Sequence, residues 1–351
     1  MDCRDNDRSN INMAAIDFYK LSDSEKRTIF TTAGERKGLP AYAIEKDWWV
    51  VQTLRIVFKM EAGKNLLFKG GTSLSKAWGL IDRFSEDIDL ALNREFLGFE
   101  TGLISKTQVR KLRTISFGYI TVPFYEDLKT AFIKEGFDKV TFDYENLGDE
   151  DQDPVSILIQ YPSLITHPEY IKPRVKVEIG SRSLKDPYSD RSFKSIVSNQ
   201  FENKVYSDTE ITIPCINPER TYLEKLFLLH EEFQKPEEKI RVDRLSRHLY
   251  DIYQISNSEY KDRAHDPALI SEIIAHRERF NGMKGVDYAT HYPPSLNPIP
   301  PDKYIEAWKA DYKKMQDEMI PGESPSFDDL IATVKEDVKE FNELKIEEDG
   351  K

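Results

Sequence analysis

The stretch LLFKGGTSLSKAWGLIDRFSEDIDLAL, Leu66–Leu92, constrains this chain more than any other. An apolar run ends at Gly70-Gly71, two hydroxyl residues follow, and an acid-x-acid pair opens the next apolar run. NLLFKGG reads as a strand ending at the glycines, TSLSKAWGLI as a helix capped by Thr72 or Ser73, and SEDIDLAL as a second strand. Side chains alternate across a strand, so Asp87 and Asp89 share one face while Ile88 and Leu90 enter the core. Two carboxylates that close repel unless a cation joins them. Mg²⁺ is the usual answer, bound by one or two carboxylates with substrate phosphate and water. The glycine turn offers free N–H groups at a helix N-terminus, a ready anion site, and Thr72 and Ser73 add hydroxyls. The spacing fits neither a P-loop nor a dinucleotide fingerprint. A lone acid-x-acid pair is usually a solvated face and a lone glycine pair a turn; the ordered combination is what is specific.

A two-ion site calls for a third acid. RVKVEIG, Arg174–Gly180, alternates strictly, and with its valines in the core Glu178 faces the same side as the aspartates. KVTFDYEN and PVSILIQYPSLI form a hairpin across the acidic LGDEDQD, and EITIPCI is a short strand. Ahead of this mixed region, SDSEKRTIFTTAGERKG begins with a Ser22–Glu25 capping box, and Ala41–Phe58 is a helix with a broad apolar face. Behind it, NPERTYLEKLFLLHEEF has Asn217 as cap and Pro218 at the first helical position. VDRLSRHLYDIYQI, KYIEAWKADYKKMQDEM and SFDDLIATVKEDVKEFNELK are further helices, and Tyr292–Pro301 is a loop. The expected organisation is a helical segment 1–63, a mixed core 64–215 and a helical domain 216–351.

Composition narrows the function classes. A length of 351 residues and 39% hydrophobic content support a real core in one large or two ordinary domains. Net charge of −12 excludes attraction of nucleic acid by bulk charge, so an RNA substrate needs a local basic patch. The two cysteines, Cys3 and Cys215, exclude a disulfide framework and a zinc site and fit a reducing cytosol. None of the six histidines has a companion at zinc-ligand spacing. The polar start MDCRDNDRSNIN is no signal peptide, and no apolar run reaches the length of a membrane span.

Several further residues have both a plain and a functional reading. Lys225 sits at the edge of an apolar helix face, where lysine usually snorkels, but beside a carboxylate site it is a phosphate ligand. Asp251 lies opposite the Leu245, Leu249, Ile252 stripe, and its plain reading is an i,i+4 ion pair with Arg247. Arg83 either clamps a phosphate or pairs with Glu86, and Arg182 has the same ambiguity. Trp48 and Trp49 pack in the core, with Lys46 and Asp47 beside them. Two basic clusters, Lys106, Arg110, Lys111, Arg113 and Lys239, Arg241, Arg244, Arg247, are solvated faces unless they flank a cleft, where they would hold an RNA backbone.

At these residues the chain resembles the nucleotidyltransferase superfamily, and more narrowly the AbiEii/AbiGii toxin family of type IV toxin–antitoxin and abortive-infection systems. IEKDWWVVQTL, FKGGTSLSKAW…RFSEDIDL, KVEIGSR, RTYLEKLFLLH, RLSRHLYDIYQI and DYKKMQDEMIPGESPSFDDLI carry the resemblance, which spans most of the chain. It implies an α+β fold, a nucleotidyltransferase-type mixed β-sheet core with N-terminal helices and a C-terminal helical domain. It implies transfer of a nucleotide from an NTP to an acceptor, in characterised relatives the tRNA 3′ end, which stops translation. Carried onto this sequence, Asp87, Asp89 and Glu178 hold Mg²⁺, with Mn²⁺ the alternative, and Lys225 and Asp251 complete the catalytic set. Lys69, Gly70, Gly71, Thr72, Ser73, Arg83 and Lys225 are the nucleotide-binding set. His248 stands where many relatives have aspartate, so His248 and Asp251 both compete for the fourth-motif role. The long segment between the glycines and Asp87 implies an extended helix. The implied partners are NTP, tRNA and a cognate antitoxin that need not form a stable complex, in the cytoplasm and away from membranes. The same site with a small-molecule or protein acceptor, or a non-catalytic NTP-binding partner protein, are the competing readings.

Overall fold

The structure is a computed structural model and describes residues 13–100, 102, 104–167, 172–181 and 187–346. The N-terminal part is helical: α1 (Met13–Lys20), α2 (Asp23–Lys37) and α3 (Ala41–Lys59). The Ser22–Glu25 capping box starts α2, and Gly38 ends it in the left-handed region at φ 71°. The apolar face expected on α3 is wider than read: every residue from Ala43 to Val57 is buried. A helix enclosed all round must also bury polar groups with partners. Glu45 accepts from Leu164 N at 2.7 Å and Ser163 Oγ at 2.8 Å, and Asp47 accepts from Ile196 N at 2.7 Å.

Strands β1 (Leu66–Lys69), β2 (Asp87–Leu92), β3 (Thr141–Tyr144), β4 (Val155–Gln160), β5 (Arg174–Gly180), β6 (Tyr188–Phe193) and β7 (Ile211–Ile216) form one seven-stranded sheet in the order β3-β4-β5-β2-β1-β7-β6. The sheet is mixed, because β2 runs parallel to β5 and β1 parallel to β7 while the other pairs are antiparallel. The hairpin read from the sequence is β3–β4, paired from Thr141↔Gln160 to Tyr144↔Ile157. Strand β6, missed in the sequence, is an edge strand of alternating exposure whose YSDRSF shows no apolar alternation.

Short helix α4 (Gly70–Lys76) joins β1 to β2, α5 (Lys106–Tyr119) and α6 (Tyr125–Lys134) follow β2, and α7 (Ile196–Gln200) follows β6. The C-terminal part comprises α8 (Pro218–Phe233), α9 (Ser246–Ser256), α10 (Tyr260–Arg263), α11 (Pro267–Phe280), α12 (Ile305–Met319) and α13 (Phe327–Asn342). This is the α+β architecture expected from the sequence. Three details differ. Helix α4 starts at Gly70, two residues before the caps assigned to it, and ends at Lys76; the segment 77–86 is irregular, not an extended helix. Asn217 is the N-cap of α8 without a side-chain cap bond, since its amide donates to Glu219 Oε1 at 3.0 Å and its Oδ1 accepts from Ser189 at 2.9 Å. Helix α11, capped by Asp266 with Pro267 behind it, was not read at all.

Two large apolar clusters result. One joins α2, α3 and α6 to a face of the sheet through Trp48, Trp49, Phe68, Ile88, Leu90, Val177 and Phe132. The other holds α8, α9, α11, α12 and α13 together, and Leu74 of α4 and Ile81 reach into it. No described helix is long and apolar enough to cross a membrane.

Candidate active site

Alternation along β2 and β5 sends Ile88, Leu90, Val175, Val177 and Ile179 into the first apolar cluster, all fully buried. Asp87, Asp89, Lys176 and Glu178 therefore project from the opposite face. The parallel register sets Asp87 beside Lys176 and Asp89 beside Glu178, and on the other side Lys69 of β1 stands across from Asp89. The three acids singled out in the sequence lie on adjacent strands of one face. Asp89 and Glu178 border a cleft of about 300 Å³ whose walls also include Lys69, Gly70, Lys225 and His248.

The electrostatics of this face are unbalanced. The Asp89 carboxylate is pushed up to about 7 by burial and by the nearby Glu178, with Asp87 adding to it and Lys69 and Lys225 opposing. Burial and Glu86 also raise Asp87, against the pull of Lys176, Lys46 and Arg247. Lys176 lies 3.3 Å from Glu178 but 2.9 Å from Glu145, so it is shared outward. Among the described residues no group of three His, Cys, Asp or Glu side chains is arranged to hold a metal ion by itself.

The glycine turn serves close approach. Gly70 has φ 78°, and a Cβ there would collide with the Asp89 carboxylate. A Cβ on Gly71 would lie 2.6 Å from Arg83 Nη2. The hydroxyls read as phosphate donors face inward: Thr72 and Ser73 are buried. Thr72 bonds the Asp87 carbonyl and lies 2.9 Å from Ser85 Oγ, and Ser73 faces the Cys215 thiol, which burial pushes up to about 12. Thr72 thus ties α4 to the strand that carries the aspartates.

Asp251 departs from its plain reading. It is fully buried, and Arg83 grips it with Nε and Nη2, each at 2.7 Å. Lys225 Nζ adds a contact at 2.9 Å. Arg247, the helical partner expected for Asp251, and Glu86, the partner expected for Arg83, are both passed over. Burial works against the Asp251 charge, yet Arg83 and Lys225 hold the carboxyl well below the usual carboxylate range. Burial lowers Lys225, with Asp251 opposing. His248 meets Lys225 too, its Nδ1 at 3.4 Å from Nζ, and burial beside Lys225 keeps the ring well below its ordinary value and hence neutral. Both candidates for the fourth-motif position thus converge on Lys225.

The fold brings further charged neighbours to the site that the sequence did not place there. Glu86 is bonded by Lys46 from α3 and lies 3.7 Å from Arg244, and Lys46 also donates to Lys172 O at 3.2 Å. On the far wall Glu224 stays ionised at about 2, because Arg220, Lys69 and Arg277 outweigh its burial. Lys176 was visible in the alternation of RVKVEIG, and Glu86 adjoins Asp87 in the chain; Lys46 and Glu224 come from helices distant in sequence. Of the basic clusters, Lys106, Arg110 and Lys111 are exposed on α5, which packs against α11 of the cleft wall. Arg241 is committed to Glu232 at 2.8 Å. Arg182 lies outside the described residues.

No curated protein matches the chain. A family model does, over residues 54–333, and its description is the nucleotidyl transferase AbiEii toxin of a type IV toxin–antitoxin system. The match takes in the glycine turn, the acid pair, Glu178, Lys225 and Asp251, and on that extent the chain belongs to the AbiEii family of nucleotidyl transferase toxins.

Proposed function

We propose that this toxin is a Mg²⁺-dependent nucleotidyltransferase, with Mn²⁺ as the alternative ion, that moves a nucleotide from an NTP to the 3′ end of tRNA and so blocks translation. The observation that carries this reading is the register that sets Asp87, Asp89 and Glu178 on adjacent strands of one sheet face beside the glycine turn, where burial and Glu178 raise the Asp89 carboxylate. Such a carboxylate is costly as an anion until a cation joins it. Asp87, Asp89 and Glu178 would hold the ion, and an all-oxygen set suits a hard divalent cation. Mg²⁺ would complete its shell with substrate phosphate and water. When bound, the ion supplies charge stabilisation at the α-phosphate and its attacking and leaving oxygens.

The protein's own groups then do positioning work. The acceptor hydroxyl attacks the α-phosphorus, the bond to the bridging oxygen breaks, and pyrophosphate leaves. Glu178, at the partly open edge of the face, orients that hydroxyl and takes its proton. Lys225 and Lys69, on the cleft wall, meet the triphosphate and balance the charge of the departing pyrophosphate. Asp251 holds Lys225 and Arg83 in register for that task. The backbone of Gly70 and Gly71 borders the phosphate side.

The test is incubation of the purified protein with each α-labelled NTP, Mg²⁺ and total tRNA, with Asp87→Ala in parallel. Label that enters tRNA and vanishes in the variant supports the reading and names the nucleotide. Mg²⁺-dependent NTP binding with no label in RNA would move the acceptor to a small molecule or protein, which the net charge of −12 favours.

A further inference from the structure

The loss of the Asp251–Arg247 pair has a structural consequence for Arg247. With Asp251 taken by Arg83 and Lys225, Arg247 has no ion-pair partner among the described residues. The side chain is half-buried, and its Nε is shielded from solvent without a hydrogen-bond partner. Buried guanidinium groups are normally paired. Burial pushes the Arg247 pKa down, and Arg83 and Arg244 push it further, against Asp251 and Asp87.

Arg244 is part of the same corner. It has a left-handed backbone, φ 58°, which long side chains disfavour. Asp311 of α12 clamps it there, accepting from Arg244 N at 2.8 Å and from Ser246 N at 3.0 Å. Leu245, the N-cap of α9, offers no side-chain bond, so Asp311 also serves as the helix cap. The clamped bend turns the Arg244 side chain toward Glu86, 3.7 Å away and next to Asp87 in the chain. The corner thus crowds Arg83, Arg244 and Arg247 together. Asp251 is gripped by Arg83 and Lys225, and Glu86 is bonded by Lys46. Like charges gathered at one corner, with Arg247 lacking an ion-pair partner among the described residues, suit an incoming anion.

We propose that Arg247, with Arg244 beside it, is a phosphate-binding residue of this site. It receives a phosphate group carried in by substrate, from the donor NTP or from the backbone of the acceptor RNA, on the planar fork that arginine presents to phosphate oxygens. The identity of the substrate rests on the nucleotidyltransferase reading; the demand for an anion rests on the corner itself.

The experiment uses the full chain as wild type, Arg247→Gln and Arg247→Lys, with thermal melts to verify folding. Affinity is measured for inorganic tripolyphosphate with Mg²⁺, and for total tRNA from about 50 to 200 mM salt. Arg247→Gln is expected to weaken one of these by about tenfold or more, with Arg247→Lys intermediate because it keeps the charge and loses the fork. Weakened tripolyphosphate binding assigns the residue to the donor. Weakened tRNA binding, with a salt slope reduced by about one, assigns it to the acceptor backbone. Unchanged affinity for both in Arg247→Gln, or a wild type that binds neither, overturns the proposal. Should Arg247→Gln fail to fold, Arg247→Lys decides: weaker binding supports the proposal and unchanged binding overturns it. Transfer is assayed separately. A wild type that binds tripolyphosphate through Arg247 but labels no acceptor would sink the transferase reading and leave the anion site standing.

Discussion

Asp89 and Asp251 show how the same residue type acquires opposite effects on stability. Asp89 is raised from 3.8 to about 7, so between those values the folded chain holds a proton that the unfolded chain has released. Its contribution to stability therefore falls as pH rises through that window and stays lost above it. Asp89→Asn is expected to raise the melting temperature at about pH 8 by on the order of 2 °C or more while abolishing transfer. Melts at about pH 5 and pH 8 check this, since the gain should shrink at the acid end. An Asp89→Asn protein that melts earlier than wild type at the higher pH would contradict the reading. Asp251 is depressed, so its stabilisation is present above the ordinary carboxylate range and is lost only as pH falls through its lower folded value. Asp251→Asn leaves Arg83 and Lys225 buried without their anion. The expected cost is about 3–5 kcal/mol, read from urea unfolding at neutral pH.

At the scale of elements, α4 and α9 are held by contacts from outside themselves. Helix α4 has seven residues and no side-chain cap, too short to stand alone. It is fixed by Thr72 bonding into β2, by Leu74 in the second apolar cluster, and by glycines that let Asp89 and Arg83 come close. Gly70→Ala is expected to cost about 1–3 kcal/mol and to eliminate transfer, because φ 78° and the Asp89 carboxylate both oppose a Cβ. Circular dichroism melts and the labelling assay, run side by side, check the two halves of that expectation. Helix α9 depends on Asp311 in the same way. Asp311→Ala should cost about 1–2 kcal/mol and lower the affinity for phosphate probes, through release of the bend at Arg244. A change in stability with unaltered phosphate affinity would show that the bend has no part in anion binding.

At the scale of the molecule, the cleft exists because the sheet face and the C-terminal helices meet around α4. Leu74, 1% exposed, is an anchor of that junction. Leu74→Ala is expected to destabilise by about 2–5 kcal/mol and to reduce transfer even at temperatures where the chain stays folded; activity against temperature measures it. Much of this architecture was legible in the sequence. The alternation of DIDLAL and RVKVEIG, the Ser22–Glu25 box and the Asn217-Pro218 helix start were read in place, because each depends on residues within a few positions of one another. The polar edge strand β6 and helix α11 were not read, the first because its alternation is one of exposure without apolar residues. The sheet face bearing Asp87, Asp89 and Glu178 was likewise legible, since a two-residue period leaves few choices once the valines are buried. Partners across the fold were not. Asp251 meets Arg83, 168 positions away, and not Arg247 on its own helix. A surface carboxylate pairs with its neighbour in the helix, but a buried one takes whichever cations the tertiary packing desolvates with it, and that packing is set by the whole chain.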